Sequence, residues 1–343
     1  MKDLRYRELD ALRGFAALYV VFFHYTTHTP YSLPIAELGV TGVDLFFIIS
    51  GFVIFMSINK VSTARQFIVN RFARLYPTYW TAVTFTTLLF FAVNHFYAPG
   101  NTITAYTYFA NMTMFQHYLR AENIDGTYWT MIIEMVFYIF ILLLFKTKLL
   151  KYILPLGLGV LAFAVFWDTW IESHSVAAYK IIRYMFPLVN HFPLFLAGII
   201  FYNMANNKQS MLQYVILALC LPVQAMLYNN GGSAQHYISQ LHYGIMLVCY
   251  FLVFFLFVNH KLGFIVNRPA LFFGKISFAL YLIHQYVSID VIIPLLTKEL
   301  QINFWLAALA AFAVSVGTSA LITYYIEAPA GKKIRTIFST AKK

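Results

Sequence analysis

Eleven steps of chain separate Arg13 from His24 inside the apolar stretch LRGFAALYVVFFHYT. At about 100° per residue, that interval carries a helix through three turns plus about 20°, so both side chains share one stripe, about 16 Å apart along the axis. A permanent cation and a titratable imidazole on one stripe of a membrane helix are costly unless they serve a function. An imidazole with a near-neutral pKa can take a proton from a hydroxyl or accept a transferred group itself. The run NRFARLYPTYW adds Arg71 and Arg74, three residues apart on one helical face. The planar fork of a guanidinium suits phosphate, so these two arginines, with Arg13 on the same side of the membrane, form a candidate phosphate clamp. Asp10, three residues before Arg13, can orient that guanidinium or cap the helix.

The elements that must hold these groups follow from composition. The 343 residues are 61% hydrophobic, 19% aromatic and only 11% charged, with a mean hydropathy of +0.69. No soluble domain of this size buries so much apolar surface, so the expected fold class is an all-α polytopic membrane protein. The formal charge of +11 sits mainly in short connections between apolar segments, which makes it a topology signal and not a nucleic-acid footprint. Cys220 and Cys249 lie in apolar segments and read as small buried residues without a disulfide framework. No signal-peptide cleavage pattern follows the first segment.

Ten stretches reach the roughly 20 apolar residues that a crossing needs: 9–28, 38–58, 75–97, 127–146, 150–168, 181–203, 211–229, 237–258, 271–296 and 301–326. The polar stretch 103–117 reads as a short interfacial or re-entrant helix. One set of connections holds Lys2, Arg5, Arg7, Lys60, Arg65, Arg71, Arg74, Lys146, Lys148, Lys151, Lys208, Lys261, Arg268 and Lys275, and the tail adds Lys332, Lys333, Arg335, Lys342 and Lys343. The opposite set holds only Arg120, Lys180, Arg183 and Lys298. The positive-inside rule therefore places both termini in the cytoplasm. A single integral-membrane domain is expected over 1–343, with its core at about 5–330 and a short basic tail at 331–343.

Orientation turns position into depth. Asp44 falls about two turns below the outer surface and Ser50 near mid-bilayer, while Glu134 and His284 fall close to the depth of His24. Ionisable groups from separate helices in one layer predict a polar cavity. Pro187 and Pro193 flank His191 and predict a broken helix whose freed carbonyls line that cavity. Glu327 reads as an end cap or a partner of Lys332 or Lys333. His28, His117, His174 and His236 show no ligand spacing, so no metal site is expected.

The blocks RELDALRGFAALYVVFFHY, GVDLFFIISGFVIF, RFARLYPTYW, GTYWTMIIEMVFY, FGKISFALYLIHQYV and YYIEAPA occur in the order of the membrane-bound acyltransferase family 3, which this chain resembles from end to end. Two features depart from the family pattern. Thr130-Met131 stands where Ser-Leu is common, and the soluble esterase-like domain of some members is not read here.

The resemblance implies transfer of an acyl group, usually acetyl, from a cytoplasmic coenzyme A thioester to a saccharide hydroxyl at the far membrane face. Acetyl-CoA would be a donor substrate, with no permanently bound cofactor. The acceptor would be an O-antigen, exopolysaccharide or similar lipid-linked glycan, in the inner membrane of a bacterial cell among membrane lipids. In that scheme Arg13, Arg71 and Arg74 hold the donor phosphates, and His24 meets the thioester. Glu134 or Asp44 holds the other ring nitrogen of His24. His284, Tyr281, Trp129 and Ser50 belong to the acceptor site or cavity. The outer loops 29–37, 98–126, 169–180 and 230–236 would set acceptor choice. A transporter or flippase of a lipid-linked saccharide, using the buried charges as a proton pathway, is the rival expectation.

Overall fold

A computed structural model describes residues 6–27, 29–97, 102–230 and 232–340, the side chains of 94–97 and 339–340 excepted. Lys2, Arg5, His28, Lys342, Lys343 and parts of two of the loops expected to set acceptor choice (98–101 and 231) lie outside the described residues. Among the described residues all regular structure is helical, and no strand occurs. The helices are α1 (Arg7–Thr26), α2 (Pro34–Ile58), α3 (Ala64–Tyr97), α4 (Ala105–Met112), α5 (Gly126–Lys146) and α6 (Leu149–His174). They continue with α7 (Val176–Met185), α8 (Phe192–Ala205), α9 (Met211–Asn229), α10 (Gln240–Val258), α11 (Arg268–Glu299) and α12 (Phe304–Phe338). Side-chain caps fix where many begin. Thr104, Ser175, Ser210, Ser239, Asn267 and Asn303 each accept a first-turn backbone N–H that would otherwise lack a partner.

Seven helices, α2, α5, α6, α9, α10, α11 and α12, are long and apolar enough to cross a membrane. The other three expected crossings are helical but differ in character. α1 carries Arg7, Glu8, Asp10 and Arg13 in its first turns. The expected segment 75–97 is the C-terminal part of the 34-residue α3, which already includes Arg71 and Arg74. The segment 181–203 is broken: α7 ends at Met185, Pro187–Asn190 forms a tight turn, and α8 restarts at Phe192 with only 14 residues. Pro187 lacks the N–H to continue α7, and Pro193 sits in a first turn, where that loss costs nothing. Cys220 is buried, but Cys249 is exposed on α10, because the apolar surface of a bundle in lipid needs no burial inside protein.

α1 and α11 make the closest contact that matters for the site. A Cβ placed on Gly14 would sit 2.8 Å from both the Ala270 carbonyl oxygen and the Gly274 nitrogen. One placed on Gly274 would overlap the Asp10 carbonyl. Only glycine lets the two backbones approach this far. The helices run side by side in the same direction, since His24 meets His284 and Tyr25 bonds Ser288 farther along both. The same ten-residue step leads from Gly14 to His24 and from Gly274 to His284. α2 and α8 cross in the same way at Gly51 and Gly198, which brings Phe47 of α2 to His191 at the start of α8, with ring centres 4.8 Å apart.

Candidate active site

Two cavities lie end to end in the bundle. The first, about 90 Å³, is lined by Arg13 of α1, Arg71 and Arg74 of α3, Ser50 of α2, Glu134 and Tyr138 of α5, and Tyr281 of α11, among others. Three guanidiniums thus converge from two helices on one small space. Arg71 donates from Nη2 to Ser57 Oγ (3.0 Å), and its Nε is buried without a hydrogen-bond partner. Arg74 forms an ion pair with Glu327, which also accepts from Thr78 Oγ1 (2.9 Å). Glu327 therefore reaches into α3 and not along its own helix toward Lys332 or Lys333. Glu134 accepts hydrogen bonds from Tyr138 and from Ser50 Oγ (3.4 Å). Arg13 lies within electrostatic reach of Asp10, Glu134 and Arg71.

The second cavity, about 390 Å³, is lined by His24, Asp44, Trp129, His191, Tyr243, Tyr281 and Gln285, among others. The rings of His24 and His284 are 5.1 Å apart. His284 is wholly buried, and its Nδ1 lies 3.0 Å from the carbonyl oxygens of both Leu280 and Tyr281. A carbonyl only accepts, so Nδ1 carries the proton and Nε2 is left as an acceptor. That Nε2 is buried without a partner, and His24 is the imidazole beside it. Asp44 accepts from the Tyr243 hydroxyl (3.3 Å). Val43 and Tyr281 line both cavities and mark where they meet.

The segment before α5 is tied to α11 by Asp125. One carboxylate oxygen accepts from the N–H and hydroxyl of Thr127 (2.9 and 2.8 Å), the other from the Tyr286 N–H (3.1 Å). Burial pushes this carboxyl up to about 6, against the lowering effect of those hydrogen bonds. The tie places Trp129, at the first turn of α5, opposite His191 with ring centres 5.8 Å apart.

The family profile described as "Acyltransferase domain" matches residues 6–324, nearly the whole chain. The chain belongs to the acyltransferase 3 family. Over 274 residues it is 24% identical to "Putative acetyltransferase ORF330" of Acidianus two-tailed virus, covering 80% of each protein. No solved structure matches the chain.

Within this acyltransferase the sequence-derived residues divide between the cavities. Arg13, Arg71, Arg74, Ser50 and Glu134 line the first, His24, Asp44 and Trp129 line the second, and Tyr281 faces both. His284 packs behind His24. One expected association differs. Glu134 bonds Ser50 and Tyr138 beside the arginines and does not reach the His24 ring, because it lies more than a turn along α5 from Trp129, which itself lines the His24 cavity. The ring that the acyltransferase sets beside His24 is His284.

Sequence reasoning passed over Tyr138, Tyr243 and Asp125, and noted Thr130 without giving it a place at the site. Tyr138 was detectable as the i+4 neighbour of Glu134. Thr130 marks a departure from the family pattern, and here its hydroxyl shares a 3.2 Å hydrogen bond with Tyr281. Tyr243 carried no local signal, since its partner Asp44 is 199 residues away.

Proposed function

We propose that this acyltransferase moves an acetyl group from cytoplasmic acetyl-CoA to a hydroxyl of a saccharide at the opposite membrane face. The observation that carries the reading is the pair of cavities meeting at Tyr281, one ending on three guanidiniums and the other on His24, with His284 packed behind it. Arg13, Arg71 and Arg74 hold the donor phosphates, and the unspent Nε of Arg71 is a donor suited to a phosphate oxygen. The pantetheine arm passes Tyr281 and presents its thioester to His24. His24 takes the proton of the acceptor hydroxyl as its oxygen attacks the thioester carbonyl. The tetrahedral intermediate collapses with cleavage of the C–S bond, and the imidazolium returns the proton to the departing sulfur, giving an ester and free thiol. No hydrogen bond joins the two rings at rest, since the Nε2 of His284 has no partner. A small turn of the His24 ring as substrate binds brings its other N–H onto that nitrogen, which then fixes the tautomer and supports the transient cation, the part a carboxylate plays in hydrolase triads.

The chain crosses the membrane ten times with both termini cytoplasmic, since the basic connections fall on one side and an even count returns the chain there. It works as a single membrane domain in a bacterial inner membrane. Its acceptor is a surface polysaccharide or lipid-linked precursor. Purified protein supplied with acetyl-CoA and an envelope glycan extract is expected to release free thiol and leave alkali-labile acetyl on the glycan; no thiol release contradicts the reading.

Arg71→Ala and Arg74→Ala are expected to raise the KM for acetyl-CoA about ten- to a hundredfold, the loss of one charge-assisted contact of about 1.5–3 kcal/mol each. The acceptor KM is expected to stay within about twofold. An unchanged donor KM would return both arginines to membrane anchoring.

A further inference from the structure

A third cavity, about 470 Å³, opens beside the His24 cavity and shares Trp129, His191 and Gly232 with it. Its walls come from the 116–123 segment, α5, α7 and the turn at 187–191. This volume falls in the range of about 300–1,000 Å³ typical of small-molecule sites. The wall is held rigidly. His117 Nε2 lies 2.9 Å from the Tyr184 carbonyl, the Tyr184 hydroxyl donates back to the His117 carbonyl (2.9 Å), and the Tyr118 hydroxyl donates to the Met185 carbonyl (2.8 Å).

Three lining groups are buried yet have unused hydrogen-bonding atoms: Gln116 Oε1, Asn190 Oδ1 and His191 Nδ1. Their residues are only 1%, 4% and 4% exposed. The Gln116 amide is oriented by its donation from Nε2 to Asn123 Oδ1 (2.9 Å), so its oxygen is the free atom. Buried acceptors left without donors are expensive in a closed protein and inexpensive in a site that a polyhydroxylated ligand fills. At the mouth, Lys180 and Arg183 stand three residues apart on α7, and both are exposed. Neither forms an ion pair among the described residues. Glu122 is the one carboxylate among the residues lining this cavity. The outer connections hold only four cations in all, so two of them in one cleft is a local concentration of positive charge.

We propose that this cleft is the acceptor subsite and that it takes a saccharide bearing an anionic group, a carboxylate on the sugar or a phosphate in its linkage. The inference rests on the acyl-transfer reading. Sugar hydroxyls donate to the Gln116 and Asn190 side-chain oxygens, the sugar face packs on Trp129, and the anionic group meets Lys180 and Arg183. The hydroxyl to be acylated then enters the His24 cavity past Trp129 and His191.

The test is binding of three probes to the purified full chain: trigalacturonate, undecaprenyl-diphospho-N-acetylglucosamine and neutral maltotriose. At least one anionic probe is expected to bind tenfold or more tightly than maltotriose. The tighter of the two tells whether the charge belongs on the sugar or in the linkage. Lys180→Glu/Arg183→Glu is expected to abolish that preference, and Lys180→Gln/Arg183→Gln to reduce it, with the acetyl-CoA KM unchanged in both. Maltotriose binding as tightly as the anionic probes, or a preference that survives charge reversal, overturns the proposal. Failure of the acyl-transfer reading shows separately, as wild-type protein that releases no thiol from acetyl-CoA with envelope extract while its probe binding is intact.

Discussion

His24→Ala is expected to lower kcat for acyl transfer by about 10²- to 10⁴-fold, the range for loss of a positioned general base. The donor KM should stay nearly constant, because His24 and the three arginines line different cavities. His24 suits the role because it is only partly covered and opens into a cavity, whereas His284 is wholly buried behind it and His191, which lines the same cavity, is only 4% exposed. His284→Gln serves as the companion measurement. Glutamine keeps a donor and an acceptor but does not reproduce the imidazole acceptor at Nε2, so kcat is expected to fall about tenfold or more with a shifted pH–rate profile. Loss of kcat with an unchanged profile would mean that His284 only fills space. A His24→Ala enzyme with normal turnover would remove the imidazole from the mechanism.

Gly274→Val carries the largest expected structural effect. Even a single Cβ at this position falls on the Asp10 carbonyl of α1, and backbone cannot step aside as a flexible side chain can. Overpacking a well-fitted interface costs about 1–3 kcal/mol in ordinary cores, and an overlap with backbone belongs at or above the top of that range. Activity should suffer further. The contact at Gly14 and Gly274 sets the spacing of α1 and α11, and His24 and His284 lie ten residues beyond it on each helix. A displacement of about 1 Å at reacting groups can cost about 10²-fold in rate. The measurement is the thermal unfolding midpoint in detergent together with turnover. Gly244→Val is the control, because a Cβ there meets nothing within 4 Å. Equal midpoints and equal turnover for the two variants would contradict the close-packing account.

These expectations show which parts of the molecule its sequence displays. Arg13 and His24 were legible together because helical geometry is periodic, and Arg71 and Arg74 because three residues bring side chains to one face. The break in the sixth segment was legible from Pro187 and Pro193, whose covalent chemistry disrupts a helix whatever surrounds it. Depth was less legible. Arithmetic along the helices set Glu134 level with His24, yet little more than one turn of α5, from Trp129 to Glu134, leads from a cavity of histidines to a cavity of arginines, and segment boundaries read from sequence are scarcely sharper than that. The pairing of Glu327 with Arg74 was hidden because the partners are distant in sequence and each has nearer opposite charges. The cleft beside Trp129 was least visible of all. Lys180 and Arg183 share a face of the short α7, but Gln116 and Asn190 come from separate irregular segments with no common period, and only the fold brings the three elements together.

The central claim is that donor and acceptor enter from opposite faces and meet at His24. Proteoliposomes holding the protein in one orientation, with labelled acetyl-CoA inside and envelope glycan outside, test it most directly. Where the basic connections face the lumen, label is expected to appear on the external glycan as an alkali-labile ester, and to disappear with His24→Ala. Transfer only when acetyl-CoA and glycan share one side of the membrane would contradict the account.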